Sequence, residues 1–195
     1  VHPDEKSSPL RELLAALAPV LPKLLPGNLE ARGLTRNDRV KGELRTATDR
    51  LAQALGVESF DLYLNPRDPD TAWIENTDPA TLVLGASIPH GDVGGLLFTL
   101  GRLLGRIRLR TQGVFFAQAG DLTDLVGAAV RLVQPGFTGF GTPNAALDGF
   151  LAKTIGRAER KALEAAVPRL ASAPIDFETH VAAMQLSSNR FGLLA

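Results

Sequence analysis

Apolar side chains recur every three or four residues between positions 94 and 112, and this period predicts one long central α-helix. Its apolar face consists of Leu96, Leu97, Leu100, Leu103, Leu104 and Ile107. Gly101 and Gly105 lie one turn apart within this stretch. Because each glycine costs a helix about 1 kcal/mol relative to alanine, we expect a closely packed neighbour beside both.

Upstream of the central helix the period of the apolar positions changes from nearly four to two. Residues 60–65 alternate between apolar and polar side chains, which predicts a half-buried strand. Residues 71–76, with the sequence TAWIEN, are typical of a second strand near a sheet edge, where Trp73 covers the edge or lies exposed to a partner. Residues 81–86 are apolar throughout and predict a more fully buried third strand.

Helical patterns precede and follow these strands. Ser8 caps a predicted helix over residues 9–18, and Asn37 or Asp38 caps a second one that ends at Gly56. The side chains of the second helix expected to face inward are Val40, Leu44, Ala47, Leu51 and Leu55. Beyond residue 113 the chain is predicted to be helical, over residues 120–134, 144–155, 157–167 and 177–190, with Asp176 as the cap of the last helix. The fold class is therefore α+β: a small sheet of three to four strands with a long central helix, followed by a helical C-terminal half.

Length and composition indicate one globular domain. The chain has 195 residues, of which 45% are hydrophobic and 22% charged. We expect residues 1–56 to form a helical segment that packs on an α+β domain of residues 57–195, in one compact domain. The formal net charge is +0 and no apolar run has membrane-spanning length, so we expect neither a nucleic-acid partner nor a membrane span. The absence of cysteine is compatible with a reducing compartment, and a cytoplasmic location is favoured.

The order strand, edge strand, buried strand and long helix, with the residues on it, resembles the HtpX-like gluzincin metallopeptidases and their small soluble relatives, the minigluzincins. That family carries an HExxH motif on the helix and a third zinc ligand, a glutamate, within ExxxD on a later helix. The matching segments here are LYL at residues 62–64, TAW at 71–73, LVLG at 82–85, RLLGR at 102–106 and QLSSNRFGL at 185–193.

The residues at the chemical positions of this motif differ from those of the family. The resemblance puts Arg102 and Arg106 at the two histidine positions and Leu103 at the position of the general-base glutamate. It puts Gln185 at the third-ligand glutamate and Asn189 at the orienting aspartate. A guanidinium has no lone pair for zinc and leucine cannot activate water. The resemblance therefore implies a catalytically inactive pseudo-peptidase with no metal or other cofactor, similar to modules of large bacterial proteins.

Charge is distributed unevenly between the strands and the central helix. Arg102, Arg106 and Arg110 form a stripe at four-residue steps on the predicted helix, whereas the strand region is rich in acids such as Glu75 and Asp78. Because like charges at that spacing repel, we expect compensation from outside the helix, for example from Glu75 or Asp78. The three histidines, His2, His90 and His180, are not spaced for a metal site, and we expect surface or capping roles.

The function these observations favour is a protein- or peptide-binding or scaffolding module. In active relatives an extended peptide adds to the edge strand, so the expected ligand is a peptide or protein segment, including neighbouring domains of a longer chain. Contacts in that cleft are expected from Trp73, Glu75, Asp78 and Arg110. Two alternatives stay open: a hydrolase or other enzyme with a non-zinc site, and an anion-binding domain that uses Arg102 and Arg106.

Overall fold

The computed structural model describes residues 8–172 and 175–195 of the chain. The described residues form eight α-helices and one three-stranded mixed sheet, which confirms the α+β fold class and the helical C-terminal half. The chain divides into two compact units. The first consists of the described part of Val1–Leu24 together with Phe116–Gln185, and the second of Leu25–Phe115 together with Leu186–Ala195. The predicted arrangement of residues 1–56 and 57–195 within one domain stays a prediction.

The first unit is helical. Its helices are α1 Pro9–Leu17, α2 Leu21–Leu24, α5 Ala119–Val133, α6 Ala145–Thr154, α7 Arg157–Ala171 and the first part of α8 Phe177–Leu194. The Ser8 side chain caps α1 by accepting a hydrogen bond from the Leu10 N–H, as its position before Pro9 predicts. Helix α1 packs against α7, and α5 packs against α6 and α7. A paired hydrogen bond from Arg131 to Asp148 (3.0 and 2.9 Å) joins α5 to α6.

The second unit contains the sheet. Its elements are α3 Gly42–Ala54, β1 Asp61–Asn65, β2 Ala72–Glu75, β3 Thr81–Gly85, α4 Val93–Arg108 and the last part of α8. The strand order is β1-β3-β2, with β1 parallel and β2 antiparallel to β3. The three predicted strands are thus confirmed, with β3 at the centre and β2 at an edge.

Both faces of this sheet are buried. One face carries Leu62, Ile74, Leu82 and Leu84 and packs against Leu100, Leu103 and Leu104 of α4. The other face carries Tyr63, Trp73 and Val83, which cluster with Leu34 from the loop before α3. The prediction that β1 is only half-buried is therefore wrong, because the loop covers the face that alternation assigned to solvent.

The start of α3 also differs from the prediction. Thr35 and Asp38 form a capping box around the 3₁₀ turn Arg36–Asp38, and Arg39 then pairs with Tyr63 of β1. These local bonds delay the helix until Gly42. Within this helix Ala47 is exposed, so its expected inward position is wrong, and Thr48 is buried instead. The Thr48 hydroxyl bonds the Leu44 carbonyl at 2.7 Å.

The last helix begins as predicted and ends later. Asp176 accepts a hydrogen bond from the Thr179 N–H (3.0 Å) and a second from its hydroxyl (2.7 Å), which is the expected cap. The helix continues to Leu194 rather than Arg190. Within the described part of the chain, no helix has both the length and the apolarity needed to cross a membrane.

Candidate functional site

The candidate site is centred on α4, whose first turn is fixed by Asp92. The Asp92 carboxylate accepts a hydrogen bond from the Gly95 N–H at 2.7 Å, so it caps the helix. Leu100, Leu103 and Leu104 then face the sheet and are buried. The predicted apolar face is confirmed for these three leucines.

The C-terminal end of α4 contradicts the prediction of a stripe of three arginines. The helix ends at Arg108, and Arg110 follows it with a φ of 58°. The N–H groups of Arg110 and Thr111 bond the carbonyls of Ile107 and Arg106 at 3.0 and 2.9 Å, which is a Schellman motif. Arg110 therefore occupies the position that glycine usually takes after a helix, and it is exposed rather than aligned with Arg102 and Arg106.

Gly101 and Gly105 lie against the end of α8, as their cost to the helix predicts. A Cβ atom on Gly101 would lie 2.6 Å from the Ala195 Cβ, and one on Gly105 would lie 2.6 Å from the Phe191 Cβ. On α8, a Cβ atom on Gly192 would lie 2.6 Å from the Phe98 carbonyl oxygen. The two helices thus approach closely at three positions that any larger residue would fill, which confirms the expected neighbour.

Arg102, Leu103 and Arg106 differ in how far they reach solvent. Leu103 is 0% exposed and belongs to the apolar core. Arg106 is 4% exposed, and its guanidinium carbon lies 5.6 Å from the centre of the Phe115 ring, within range of a cation–π interaction. Arg102 is half-buried, and its Nε is buried without a hydrogen-bond partner among the described residues. This burial lowers the pKa of Arg102 below its ordinary value.

Gln185 and Asn189 lie one turn apart on α8, and both are partly buried. The division of the chain places Gln185 in the first unit and Asn189 in the second. Within the second unit, Phe191, Gly192 and Ala195 of α8 lie against α4. The expectation that Gln185 and Asn189 face Arg102 and Arg106 stays a prediction.

Glu75 on β2 binds partners other than the arginines of α4. Its carboxylate accepts hydrogen bonds from the indole N–H of Trp73 (2.9 Å) and from the Asn28 N–H (3.2 Å). The Nε of Arg32 lies 3.6 Å from the same carboxylate, and the Arg32 guanidinium stacks 5.9 Å from the centre of the Trp73 ring. Glu75 thus holds the loop before α3 against the edge strand, and the suggested pairing of Glu75 with Arg102 or Arg106 is wrong.

Trp73 and Asp78, two other residues predicted to contact a ligand, differ in their exposure to solvent. Trp73 is buried against the sheet, which agrees with its expected role as a cover for the edge. Asp78, in the turn between β2 and β3, is exposed. Sequence patterns missed Asn28 and Arg32, the partners of Glu75, because the loop that carries them has no regular period. The proline and glycine residues before it, Pro26 and Gly27, mark a loop but do not indicate what it covers.

The histidines occupy unlike environments. His2 lies outside the described residues, and His90 is exposed in the 3₁₀ turn Ile88–His90. His180 in the first unit is 6% exposed, so the expectation of a surface role is wrong for it, and burial lowers its pKa to about 4. Over residues 8–172 and 175–195, no three or more His, Cys, Asp or Glu side chains are grouped so that they could hold a metal ion.

Comparison with protein-family models, curated proteins and solved structures finds no match for this chain. The resemblance to the gluzincins therefore depends on the quoted residues and their order. It stays a prediction.

Proposed function

We propose that this chain is a non-catalytic, gluzincin-like domain that serves as a scaffolding or protein-binding module. The observation that carries the proposal is the state of Leu103, at the position where the family has its general base. Its side chain is 0% exposed and packs in the apolar core beneath the sheet. A leucine can neither take up a proton nor reach a water molecule there, so it supports the helix and not a reaction.

The environment of Arg106 supports the same proposal. The side chain is almost fully buried beside Phe115 at the second histidine position. A buried guanidinium is costly to desolvate and is retained only where the surroundings compensate it. Its packing gives it a structural task within α4, which is what a domain that kept its shape without its chemistry requires.

Scaffolding is favoured over addition of a peptide strand to β2. Ile74, in the middle of that edge strand, is only 1% exposed, and the 3₁₀ turn Gln112–Val114 contacts β2. Beyond the strand, the Gly27 N–H bonds the Asn76 carbonyl at 2.8 Å. Strand addition needs a row of exposed N–H and C=O groups, and these neighbours lie beside part of that row. A neighbouring domain or protein segment would therefore bind an outer surface of the module.

A restoration experiment tests the gluzincin-like part of the proposal. The variant Arg102→His, Arg106→His, Gln185→Glu supplies three zinc ligands at the family positions. We expect it to bind close to one zinc per chain, measured by elemental analysis after dialysis. The control replaces Arg108, exposed on the same helix, instead of Arg106 and should bind none. A folded variant that takes up no more zinc than this control would contradict the resemblance.

The non-catalytic part has its own assay. The wild-type chain, with zinc added, is incubated with a mixed peptide library and the products are analysed by mass spectrometry. We expect every peptide to remain intact. Cleavage that requires the chain and stops with a chelator would overturn the proposal.

One observation favours the anion-binding alternative. The half-buried Arg102 has an Nε without a partner among the described residues, and a bound anion would supply the missing acceptor. Titration with inorganic phosphate, followed by the melting temperature, would show stabilisation of the wild type that Arg102→Gln abolishes. Equal responses of the two proteins would exclude this alternative.

A further inference from the structure

A cavity of about 660 Å³ lies in the second unit between the loop before α3 and the end of β1. Leu29, Leu34 and Tyr63 form its apolar part, and Leu34 and Tyr63 are buried. The volume lies within the range of small-molecule sites, which are mostly apolar with a few placed polar groups. The cavity is remote in sequence from the predicted cleft on α4, so a ligand bound in it would be independent of the proposed function.

Two arginines supply the charge of this cavity. Arg36 and Arg67 both line it, and both are exposed to solvent. Within the described residues neither guanidinium has a hydrogen-bond or ion-pair partner. Guanidinium groups bind carboxylate and phosphate oxygens in pairs of parallel hydrogen bonds. These two arginines therefore offer donors that the protein itself leaves unused.

The backbone of Arg67 is fixed before any ligand arrives. Its backbone N–H bonds the side-chain oxygen of Asn65 at 3.0 Å, and Asn65 in turn donates to Asp68 at 3.1 Å. Its guanidinium lies against Gly33, which has a φ of 73° and where a Cβ atom would overlap it. The guanidinium thus already lies beside the cavity wall, on a fixed backbone, before a ligand binds.

The cavity wall on the other side is also preformed. The Leu34 N–H bonds the Leu29 carbonyl at 2.8 Å, and the Thr35 N–H bonds the Asp38 carboxylate at 2.7 Å. The N–H and hydroxyl groups of Thr35 both donate hydrogen bonds to the Asp38 carboxylate and hold its pKa below the ordinary value. The positive charge of Arg67 lowers this pKa further. Asp38 is thus a carboxylate already engaged by Thr35, and Glu30 is the acidic residue in the lining.

We propose that this cavity binds a small molecule that carries a carboxylate or phosphate on a flat apolar body. The anionic group would lie between Arg36 and Arg67, and the apolar body would pack on Leu29, Leu34 and the Tyr63 ring. The Tyr63 hydroxyl, which has no hydrogen-bond partner among the described residues, is a further donor for the anion. The negative charge of Glu30 repels the anion, so neutralising Glu30 should strengthen binding, whereas neutralising either arginine should weaken it.

Phenyl phosphate and benzoate are the probes, titrated by calorimetry. Inorganic phosphate and benzyl alcohol are matched compounds that each carry only one half of the ligand. We expect saturable binding of at least one aromatic anion, with each half-compound weaker by about tenfold or more because it loses either the charged hydrogen bonds or the apolar contact. Preference between the two aromatic anions distinguishes a phosphate site from a carboxylate site.

Variants locate the site. Arg67→Gln and Arg36→Gln should each weaken binding by about tenfold, because each removes a charge-assisted hydrogen bond. Glu30→Gln should strengthen it, and Arg50→Gln, an exposed arginine on α3 outside the lining, should leave it unchanged. Arg36 and Glu30 are exposed, so their variants report even if Arg67→Gln does not fold.

Three results would overturn the proposal. The first is no saturable binding of either aromatic anion up to about 10 mM, a concentration above the dissociation constant of even a weak millimolar site. The second is a loss of affinity in Arg50→Gln as large as in Arg67→Gln. The third is wild-type affinity in both single variants, Arg36→Gln and Glu30→Gln, because only binding elsewhere on the protein would be insensitive to both charges.

Discussion

Replacement of His180 by phenylalanine should remove a large part of the loss of stability in acid. His180 is 6% exposed on α8, and burial lowers its pKa from 6.5 to about 4. The folded protein therefore holds this imidazole neutral, while the unfolded chain protonates it near pH 6.5. Between these two values the unfolded state binds more protons than the folded state, so stability falls as the pH falls.

The magnitude of this effect is set by the two pKa values. At about 1.4 kcal/mol for each pH unit between them, the complete loss is about 3 to 4 kcal/mol. At pH 4.5, where most of the window has been crossed, the same linkage gives about 2 to 3 kcal/mol. Above pH 6.5 the imidazole is neutral in both states and makes no pH-dependent contribution.

Urea unfolding of the wild type and His180→Phe at pH 7.5, 6.5, 5.5 and 4.5 measures this difference. Carboxylates titrate in both proteins and cancel when the two free energies of unfolding are subtracted. We expect the wild type to lose about 2 to 3 kcal/mol relative to the variant between pH 7.5 and 4.5. His90→Asn is the matched control, because His90 is exposed and its variant should follow the wild-type profile. Parallel profiles for wild type and His180→Phe would refute the reasoning, since they would mean that the folded state protonates His180 as readily as the unfolded chain.

Three further substitutions, with Gly149→Ala in the first unit as a control, test the second unit and its helix contacts by denaturant unfolding. Gly105→Ala places a Cβ 2.6 Å from the Phe191 side chain and should lower the free energy of unfolding by about 1–3 kcal/mol. Gly149→Ala, in open space on α6, should raise it by up to about 1 kcal/mol, and equal effects of the two variants would contradict the close helix contact. Glu75→Gln should cost about 1–3 kcal/mol and shift the emission of the single tryptophan to longer wavelength, because the indole and Arg32 lose a charged acceptor; an unchanged spectrum would argue against this contact. Arg110→Gly should stabilise by up to about 1 kcal/mol, since it relieves a φ of 58°, and any destabilisation would count against the Schellman motif.

Local patterns predicted the parts of the fold that depend on neighbouring residues. The period of α4, the cap at Ser8 and the cap at Asp176 were all correct, because each depends on residues within one or two turns. The glycines of α4 were informative for a different reason. Gly101 and Gly105 each destabilise the helix, and close packing against a neighbour offsets this loss. The sequence therefore indicated a contact at these positions without identifying its partner.

Contacts between remote segments could not be read from the sequence. Glu75 binds Asn28 and Arg32, which lie more than 40 positions before it, and no periodicity relates such residues. The same loop covers the second face of the sheet, so the alternation in β1 was misinterpreted as exposure of that face. For α3, the competing turn at Thr35 and Asp38 used the same capping chemistry that would have started a helix there.

The candidate site was predictable only where it coincides with a helix face. Arg102 and Arg106 share a face because they are four residues apart within α4, whereas Arg110 was assigned to that face by extending the period past the end of the helix. An arginine with positive φ gives little warning in a sequence, since glycine is the usual residue there. The partners of Glu75 could not be predicted either, because they lie on a loop without a period.

The close approach of α4 and α8 gives α4 a second packed side, besides the side that faces the sheet. A zinc ion ties separate elements together and contributes directly to folding. In the second unit, contacts at Gly101, Gly105 and Gly192 bring the two helices together through backbone and small side chains. The Leu103 side chain meanwhile anchors the opposite face of α4 in the core. The helix is thus held on two sides by packing that needs neither a metal nor a catalytic residue, which is the physical basis on which we favour a scaffold.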